Sequence, residues 1–173
     1  VLEPDDPVAA AVAWPRLELA ATPTQEAAGE RLLEALGLPG DVRPVILNPG
    51  ANNPAKRWPA ERFRALAEHL SAERGLTVLV NGAPSEAELA AEVCAGLPGV
   101  HSLPKVGVTI GSLKAVCRRA RLMVTNDTGP RHIAAAFGVP TITLYGPTDP
   151  RWTTLPKPPA ALGVHTHTMR VDM

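Results

Sequence analysis

"RLMVTNDTGPRHIAAAFGVPTITLY", residues 121–145, carries the clearest fold signal in the chain. Its first and last five residues are strand-like runs rich in β-branched and apolar side chains. Between them, a polar turn leads into a helical pattern in which Ile133, Ala134 and Phe137 share one face, and Gly138 ends that pattern. A strand, a helix and a second strand joined by such short connections form a right-handed crossover between two parallel strands.

The same alternation occupies the residues before this stretch. Strand-like runs lie at 44–48, at 76–82 and, more weakly, at 99–103, and helical patterns precede and separate them. The first helix is expected to be capped by Thr24, and the next helix to carry Pro59 in its first turn. The full order is α-β-α-β-α-β-α-β-α-β, which predicts an α/β protein with a Rossmann-like, doubly wound parallel sheet.

The composition of the 173 residues limits the classes of partner. Hydrophobic residues make up 45% of the chain and charged residues 20%, which fits a globular domain with a buried sheet. Seventeen basic and seventeen acidic residues give a formal net charge of zero, so we expect no nucleic-acid partner and only local anion binding. No apolar run approaches the ~20 residues that span a bilayer, so we expect a cytoplasmic protein with at most peripheral membrane contact.

Three segments differ in composition. Residues 1–22 are rich in proline and are expected to be an interdomain linker or the remnant of an absent N-terminal domain. Residues 23–155 carry the periodic pattern of a domain, and residues 156–173 are expected to form an irregular C-terminal tail. Cys94 and Cys117 are expected to be small buried hydrophobic residues rather than a disulfide or a reactive thiol.

Polar loops follow four of the predicted strands, at the edge where ligands bind in parallel sheets. These loops are "NPGANNPAKRW", "NGAPSE", "NDTGPRH" and "GPTDPRW". In the third loop, Asp127, Thr128 and Gly129 begin a helix whose free amides and dipole attract phosphate. Lys56 in the first loop could extend its ammonium group to a diphosphate held there. The chain contains neither a Walker A nor a GxGxxG motif, and connecting loops are equally polar, so a plain connection stays open as an alternative.

Each candidate residue also has an interpretation that needs no ligand. Asp127 is a good helix N-cap and could serve the helix alone. His132 lies one turn into that helix and could face a ligand, although a single helical histidine is more often a surface or core residue. Glu86 lies in the first turn of a helix expected to begin with a capping box at "SEAE", residues 85–88, where the helix dipole favours an acid, yet its loop also faces the site.

Other aromatic and charged residues are assigned to structure or to the surface. Trp58 is expected to pack as a hydrophobic staple beside Pro59 rather than to stack on a base. Arg131 and Arg151 are expected to be solvated charges. We expect no metal site, because "HTH" at 165–167 lacks a third ligand nearby. We also expect no cofactor.

Three stretches together resemble a known family. "PRLELAATP", "NPGANNPAKRWP" and "NDTGPRHIAAAFGVPTITLYGPTDPRWT" are similar to the C-terminal half of the glycosyltransferase family 9 heptosyltransferases, and the likeness runs from near residue 15 to near residue 155. The resemblance implies that residues 23–155 are one half of a GT-B fold and bind a nucleotide-diphosphate sugar, usually ADP-heptose. It also implies an inverting, metal-independent transfer to the lipopolysaccharide inner core.

The resemblance further implies roles for individual residues. The family's loop lysine contacts the donor phosphates and matches Lys56, whereas its acid after the second strand holds the ribose and matches Glu86. Its D-[ST]-G stretch contacts phosphate and sugar. The positions matched in this way as donor-binding residues are Ala51, Asn52, Lys56, Glu86, Asp127, Thr128, Gly129 and His132.

The catalytic residues are not identified by this sequence. In the family, the general base belongs to the N-terminal domain, which also takes the lipid-linked saccharide acceptor and which we expect to be absent here. The isolated chain is therefore expected to bind donor and to be inactive in transfer. Two alternatives stay open: a GT-B-like nucleotide-sugar epimerase, which would consume donor without acceptor, and a non-catalytic nucleotide-binding module.

Overall fold

The computed structural model describes residues 17, 19–153, 155 and 166–171. Its six strands are β1 (Val45–Asn48), β2 (Val78–Val80), β3 (Val100–Ser102), β4 (Leu122–Asn126), β5 (Thr141–Tyr145) and β6 (Thr166–Arg170). They form one sheet in the order β3-β2-β1-β4-β5-β6, and every neighbouring pair is parallel. The chain builds outward from β1 in one direction and then crosses to β4 on the other side of β1, as in doubly wound sheets. The predicted α/β, Rossmann-like class is confirmed.

Within the described residues, five α-helices connect and cover these strands. They are α1 (Pro23–Ala35), α2 (Ala60–Glu68), α3 (Ala87–Cys94), α4 (Ile110–Arg119) and α5 (Pro130–Ala136). A π-helical turn, His69–Glu73, extends α2, and short 3-10 turns occupy Pro54–Lys56, Pro84–Glu86, Pro104–Val106 and Pro150–Trp152. No helix formed by the described residues has the length and apolar character that a membrane crossing requires.

The core lies on both faces of the sheet, because successive side chains of a strand point to opposite sides. In β1, Ile46 joins an apolar cluster with residues of α1, α4 and α5. Its neighbours Val45 and Leu47 join a second cluster with residues of α2 and α3. Strands covered on both faces have no polar side to show in the sequence, which is why β1 and β2 appear there as continuous apolar runs.

The start of α1 differs from the sequence expectation. The Thr22 hydroxyl oxygen accepts a hydrogen bond from the Gln25 amide at 3.3 Å, and the Gln25 side-chain oxygen accepts from the Thr22 amide at 3.1 Å. Thr22 is therefore the N-cap, and the prediction of Thr24 is wrong. The reason is Pro23, which lacks an N–H group and has a fixed φ suited to the first position of a helix.

The start of α2 differs from its prediction by one residue, because the helix begins at Ala60 and Pro59 lies just before its first turn with an extended backbone. Pro59 is the N-cap, and the side chain of Trp58 before it contacts Phe63 in the first turn. The two rings meet edge to face, with centroids 5.1 Å apart. This contact is a hydrophobic staple, so the structural interpretation of Trp58 is confirmed.

The expected irregular tail is wrong over Thr166–Arg170, which form β6. This strand pairs in parallel with β5, with Thr141 opposite Thr166 and Tyr145 opposite Arg170. Pairing at a sheet edge satisfies backbone groups whatever the side chains are, so it leaves little apolar signal in the sequence. Residues 156–165, including His165, lie outside the described residues, as do residues 1–16 of the expected linker.

The two cysteines are packing residues, as predicted. Both are free thiols, with Cys117 buried and Cys94 half-buried. Burial raises the pKa of the Cys117 thiol to about 12 and that of Cys94 to about 11. Neither thiol ionises near neutral pH, so neither behaves as a reactive nucleophile.

Candidate functional site

A cleft of about 700 Å³ opens at the carboxyl edge of the sheet. It is lined by the loops that follow β1, β2 and β4 and by the first turn of α4. Seven of the eight residues selected from the sequence line it, namely Ala51, Asn52, Lys56, Glu86, Asp127, Thr128 and Gly129. His132 is not among the lining residues. The topology thus brings together side chains that are separated by up to 78 positions in the chain, because parallel strands all end at one edge.

Asp127 lies between two cations. Its Oδ2 atom is 2.9 Å from Nζ of Lys56, and its Oδ1 atom is 3.0 Å from Nη2 of Arg131. The Asp127 side chain is only 5% exposed, and a buried carboxylate needs such partners to remain charged. No side chain caps α5, whose N-cap is Gly129. The alternative that Asp127 serves only as an N-cap is therefore wrong.

Arg131 is a buried charge, not the solvated one that the sequence suggested. Its side chain is 2% exposed. Nη1 donates to the Tyr145 hydroxyl at 2.6 Å, and Nη2 donates to the Thr153 carbonyl oxygen at 2.5 Å. The guanidinium carbon also lies 5.7 Å from the centroid of the Tyr145 ring. Arg131 faces inward with Ala134, on the side of α5 that packs on the sheet.

Arg151 matches its prediction as a surface charge. Its side chain is 88% exposed and pairs with Asp149 at 2.6 Å. Hydrogen bonds from Arg151 lower the pKa of the Asp149 carboxyl to about 2. An exposed pair between residues two positions apart organises the 3-10 turn Pro150–Trp152 and contributes little to stability.

Three asparagines that the sequence analysis did not select hold the strand ends together. Asn81 donates to the side-chain oxygen of Asn48 at 2.7 Å, and Asn48 donates to the Thr128 hydroxyl at 3.0 Å. Asn126 donates to the Pro49 carbonyl oxygen at 2.7 Å and accepts from the Trp58 amide at 3.2 Å. The sequence contained a pattern that could have identified these asparagines, because three of the four polar loops begin with asparagine. A buried amide supplies both a donor and an acceptor, which suits it to linking neighbouring loops.

Glu86 lies in the loop that follows β2, and its side chain extends to the loop that follows β1. One carboxylate oxygen accepts from the Ala83 amide at 2.9 Å. This bond organises the 3-10 turn, and α3 begins at Ala87, so the capping box expected at Ser85 and Glu88 is wrong. The carboxylate packs directly on Gly50, where an added Cβ would lie 2.2 Å from both oxygens. Gly50 thus leaves room for an acid at the cleft wall.

His132 is an exposed residue on α5, outside the cleft lining. Its pKa is lowered mainly by the partial loss of solvent around the ring and also by the neighbouring Arg131 guanidinium, while Asp127 acts in the opposite direction. A lowered pKa keeps the imidazole neutral at pH 7. The structure does not place the His132 ring with the other selected residues.

The wall of the cleft at the start of α4 is apolar. Val108, Ile110 and Leu113 line the cleft, and Ile110 is 72% exposed. Thr109 caps the helix by accepting from the Ser112 amide at 3.1 Å. The cleft therefore combines a polar, charged part with an apolar surface able to take a flat, uncharged group.

A comparison with known families places the chain among its relatives. The profile of glycosyltransferase family 9 (heptosyltransferase) matches residues 8–169. The chain belongs to glycosyltransferase family 9. As a family 9 protein it is 40% identical over 116 residues to lipopolysaccharide heptosyltransferase 1 of Pseudomonas aeruginosa, a match that covers 66% of this chain and 32% of that protein.

Solved family 9 structures share its fold. The glycosyl transferase family 9 protein of Veillonella parvula superposes with a TM-score of 0.73 at 27% identity, over 90% of this chain and 44% of that one. E. coli heptosyltransferase WaaC with ADP-2-deoxy-2-fluoro heptose superposes with a TM-score of 0.64 at 29% identity, over 84% of this chain and 42% of that one. The family 9 chain described here thus spans less than half the length of each of these relatives.

A metal ion at this family 9 site would need His, Cys, Asp or Glu side chains that lie close together. Across residues 17, 19–153, 155 and 166–171, no three His, Cys, Asp or Glu side chains cluster closely enough to hold a metal ion. The cations present at the cleft are side chains, namely Lys56 at its surface and Arg131 beneath it.

Proposed function

We propose that the cleft binds a nucleotide-diphosphate sugar, ADP-heptose, as the donor for transfer to the lipopolysaccharide inner core. One observation carries the proposal: a partly exposed lysine lies within the same cleft as Thr128 and Gly129 and is held there by Asp127. Family membership and the related WaaC structure, whose ligand is an ADP-sugar analogue, support the choice of donor. The roles of the individual residues follow from their positions in the cleft.

The diphosphate is expected to lie between the loops that follow β1 and β4. Lys56 ends the 3-10 turn Pro54–Lys56, and its side chain is 29% exposed, so its ammonium group can leave Asp127 for an incoming phosphate. Thr128 offers a hydroxyl group beside it, fixed by Asn48. Lysine suits this task, because its flexible stem lets the charge follow a phosphate.

The nucleoside is expected to occupy the other end of the cleft. Glu86, ordered by the Ala83 amide, presents a carboxylate that can accept hydrogen bonds from the ribose hydroxyls. The apolar side chains of Val108, Ile110 and Leu113 offer a surface against which a base can lie. Ala51 and Asn52 lie beside Lys56 in the first loop, where a small residue allows close approach of the donor.

The proposed reaction is an inverting transfer that does not depend on a metal ion. An acceptor hydroxyl oxygen bonds to the anomeric carbon while the bond from that carbon to the diphosphate oxygen breaks. ADP leaves with the bonding electron pair, and Lys56 stabilises the negative charge that develops on it. The hydroxyl proton passes to a general base. Since these residues cover 32% of the length of the Pseudomonas relative, we expect that base in a part of the enzyme beyond them.

Titration calorimetry with ADP tests the proposal. We expect saturable binding by the chain and a loss of about tenfold to a hundredfold in affinity for Lys56→Ala, because a hydrogen bond to a charged group contributes about 1.5–3 kcal/mol. Arg74→Ala is the matched control: it removes one exposed cation at the end of the helical segment that follows β1, away from the cleft. Absence of saturable heat, or equal losses for the two variants, would contradict the proposal.

A further inference from the structure

Two cationic side chains, Lys56 and Arg131, share the Asp127 carboxylate, but they differ in how freely they can move. Lys56 is 29% exposed, and its ammonium group has Asp127 as a partner at 2.9 Å. Arg131 is 2% exposed, and its two terminal nitrogens are bonded to Asp127, Tyr145 and Thr153. A ligand can therefore draw Lys56 away from Asp127, whereas Arg131 is fixed where it is.

The charge balance of the cleft shows why this difference matters. The ionisable residues that line the cleft are Lys56, Glu86 and Asp127, which carry one positive and two negative formal charges. A diphosphate would enter a lining with a net charge of minus one, and like charges in a partly desolvated site repel strongly. Arg131 lies behind the lining, 3.0 Å from Asp127, and brings the formal balance to zero.

We propose that Arg131 is a positioning residue for donor binding, which neutralises Asp127 so that Lys56 becomes available to the diphosphate. The inference rests on the function proposed above. Arg131 touches neither the cleft surface nor the donor, and it acts through the carboxylate that it holds. The arrangement lets Asp127 keep one fixed partner when Lys56 moves to the ligand, so that no buried charge is left unpaired.

The competing explanation is purely structural. Arg131 also ties α5 to Thr153 and to the Tyr145 ring, and these contacts could be its whole role. Arginine suits either role, because its planar group donates in several directions at once. The two explanations differ in one respect: charge compensation depends on the Asp127 charge, and structural bridging does not.

A double-mutant cycle on ADP affinity separates them. For Arg131→Met we expect binding about tenfold weaker than in the wild-type chain, or about 1.4 kcal/mol. In an Asp127→Asn background there is no carboxylate to neutralise, so adding Arg131→Met should leave the affinity of that background within about twofold, or about 0.4 kcal/mol. Arg131→Lys, which keeps the charge, should retain most of the wild-type affinity. Equal losses from Arg131→Met in both backgrounds would overturn the inference.

Tyr145→Phe is the matched structural control. It removes a hydroxyl that accepts from Arg131 at 2.6 Å and leaves every charge in place. We expect a lower melting temperature with ADP affinity close to that of the wild type, and a loss of affinity equal to that of Arg131→Met would favour structural bridging.

If Arg131→Met does not fold, Arg131→Lys and the pair of variants in the Asp127→Asn background still decide the question. Saturable ADP binding by the wild-type chain is the separate test of the proposed function, and without it both proposals fail.

Discussion

At the scale of single residues, the cleft depends on contacts that need a specific side chain or the lack of one. Gly50 is such a position, since both carboxylate oxygens of Glu86 occupy the space where its Cβ would be. The Glu86 carboxylate in turn accepts from the Ala83 amide, which fixes its direction. A glycine in the first loop therefore controls the position of an acid in the second.

We expect Gly50→Ala to weaken ADP binding while the fold is kept. The new methyl group would displace the Glu86 carboxylate, which is the mobile end of a side chain, so the displacement costs the fold little. Losing an oriented, charged acceptor for the ribose should reduce affinity by about tenfold, or about 1.4 kcal/mol. Calorimetry with ADP and thermal unfolding measure the two effects.

Gly40→Ala is the control for that substitution, because an added Cβ at position 40 meets nothing within 4 Å. It should leave ADP affinity unchanged. In a Glu86→Ala background, Gly50→Ala should cause no further loss, since the displaced group is already gone. A further loss in that background would mean that Gly50 acts on the ligand by another route.

At the scale of elements, short capping contacts decide where helices begin. Thr22 and Gln25 form a reciprocal pair at the start of α1, and Thr109 and Ser112 form a similar one at the start of α4. These two helices pack closely: a Cβ at Gly29 of α1 would be 2.5 Å from the Cβ of Ala115 in α4. The positions at which α1 and α4 begin therefore affect how these two helices pack, and α4 supports the apolar side of the cleft.

Two threonines at the start of α1 allow a test. Thr22→Ala should lower the free energy of unfolding by about 1 kcal/mol, because the amide of Gln25 loses its acceptor. Thr24→Ala, two positions later and within the first turn, should change it by less than about 0.5 kcal/mol. Urea unfolding at equilibrium gives both values, and the reverse ranking would show that the helix begins two residues later in solution.

At the scale of the whole molecule, the parallel sheet collects at one edge the loops that form the cleft. This edge supplies groups suited to a nucleotide-diphosphate sugar, and the family 9 relatives are more than twice as long as the chain. A transfer reaction also needs an acceptor site and a base. The proposed function assigns donor binding to these residues and makes no use of them as acceptor site or base.

A comparison of turnover tests this division. Supplied with ADP-heptose and a lipid-linked acceptor, the 173-residue chain should bind ADP yet release none from the donor, whereas a full-length heptosyltransferase that contains it should do so. ADP release and sugar transfer to the acceptor are the measurements. Transfer by the isolated chain would place the base within these residues, and conversion of the donor sugar without acceptor would favour an epimerase.

Parts of the site were visible in the sequence, and other parts were not. Lys56 and Asp127 could be selected because each follows a recognisable strand, and all parallel strands end at one edge. Arg131 could not, since its burial depends on Tyr145 and Thr153, and nothing local distinguishes it from a solvent-facing arginine. The asparagines at the strand ends were visible as a repeated residue, but their hydrogen bonds depend on the register of the sheet.

The sequence by itself determined the order of the elements from α1 to β5, the fold class and the edge at which the candidate cleft opens. It could do so because burial on two faces and helical periodicity are local patterns that each segment carries alone. Only the tertiary structure decided that Thr166–Arg170 form a sixth strand, that Glu86 packs on Gly50 and that Arg131 is buried against Asp127. Each of these depends on partners supplied by another part of the chain or by another element, and no local pattern encodes which partner will be there.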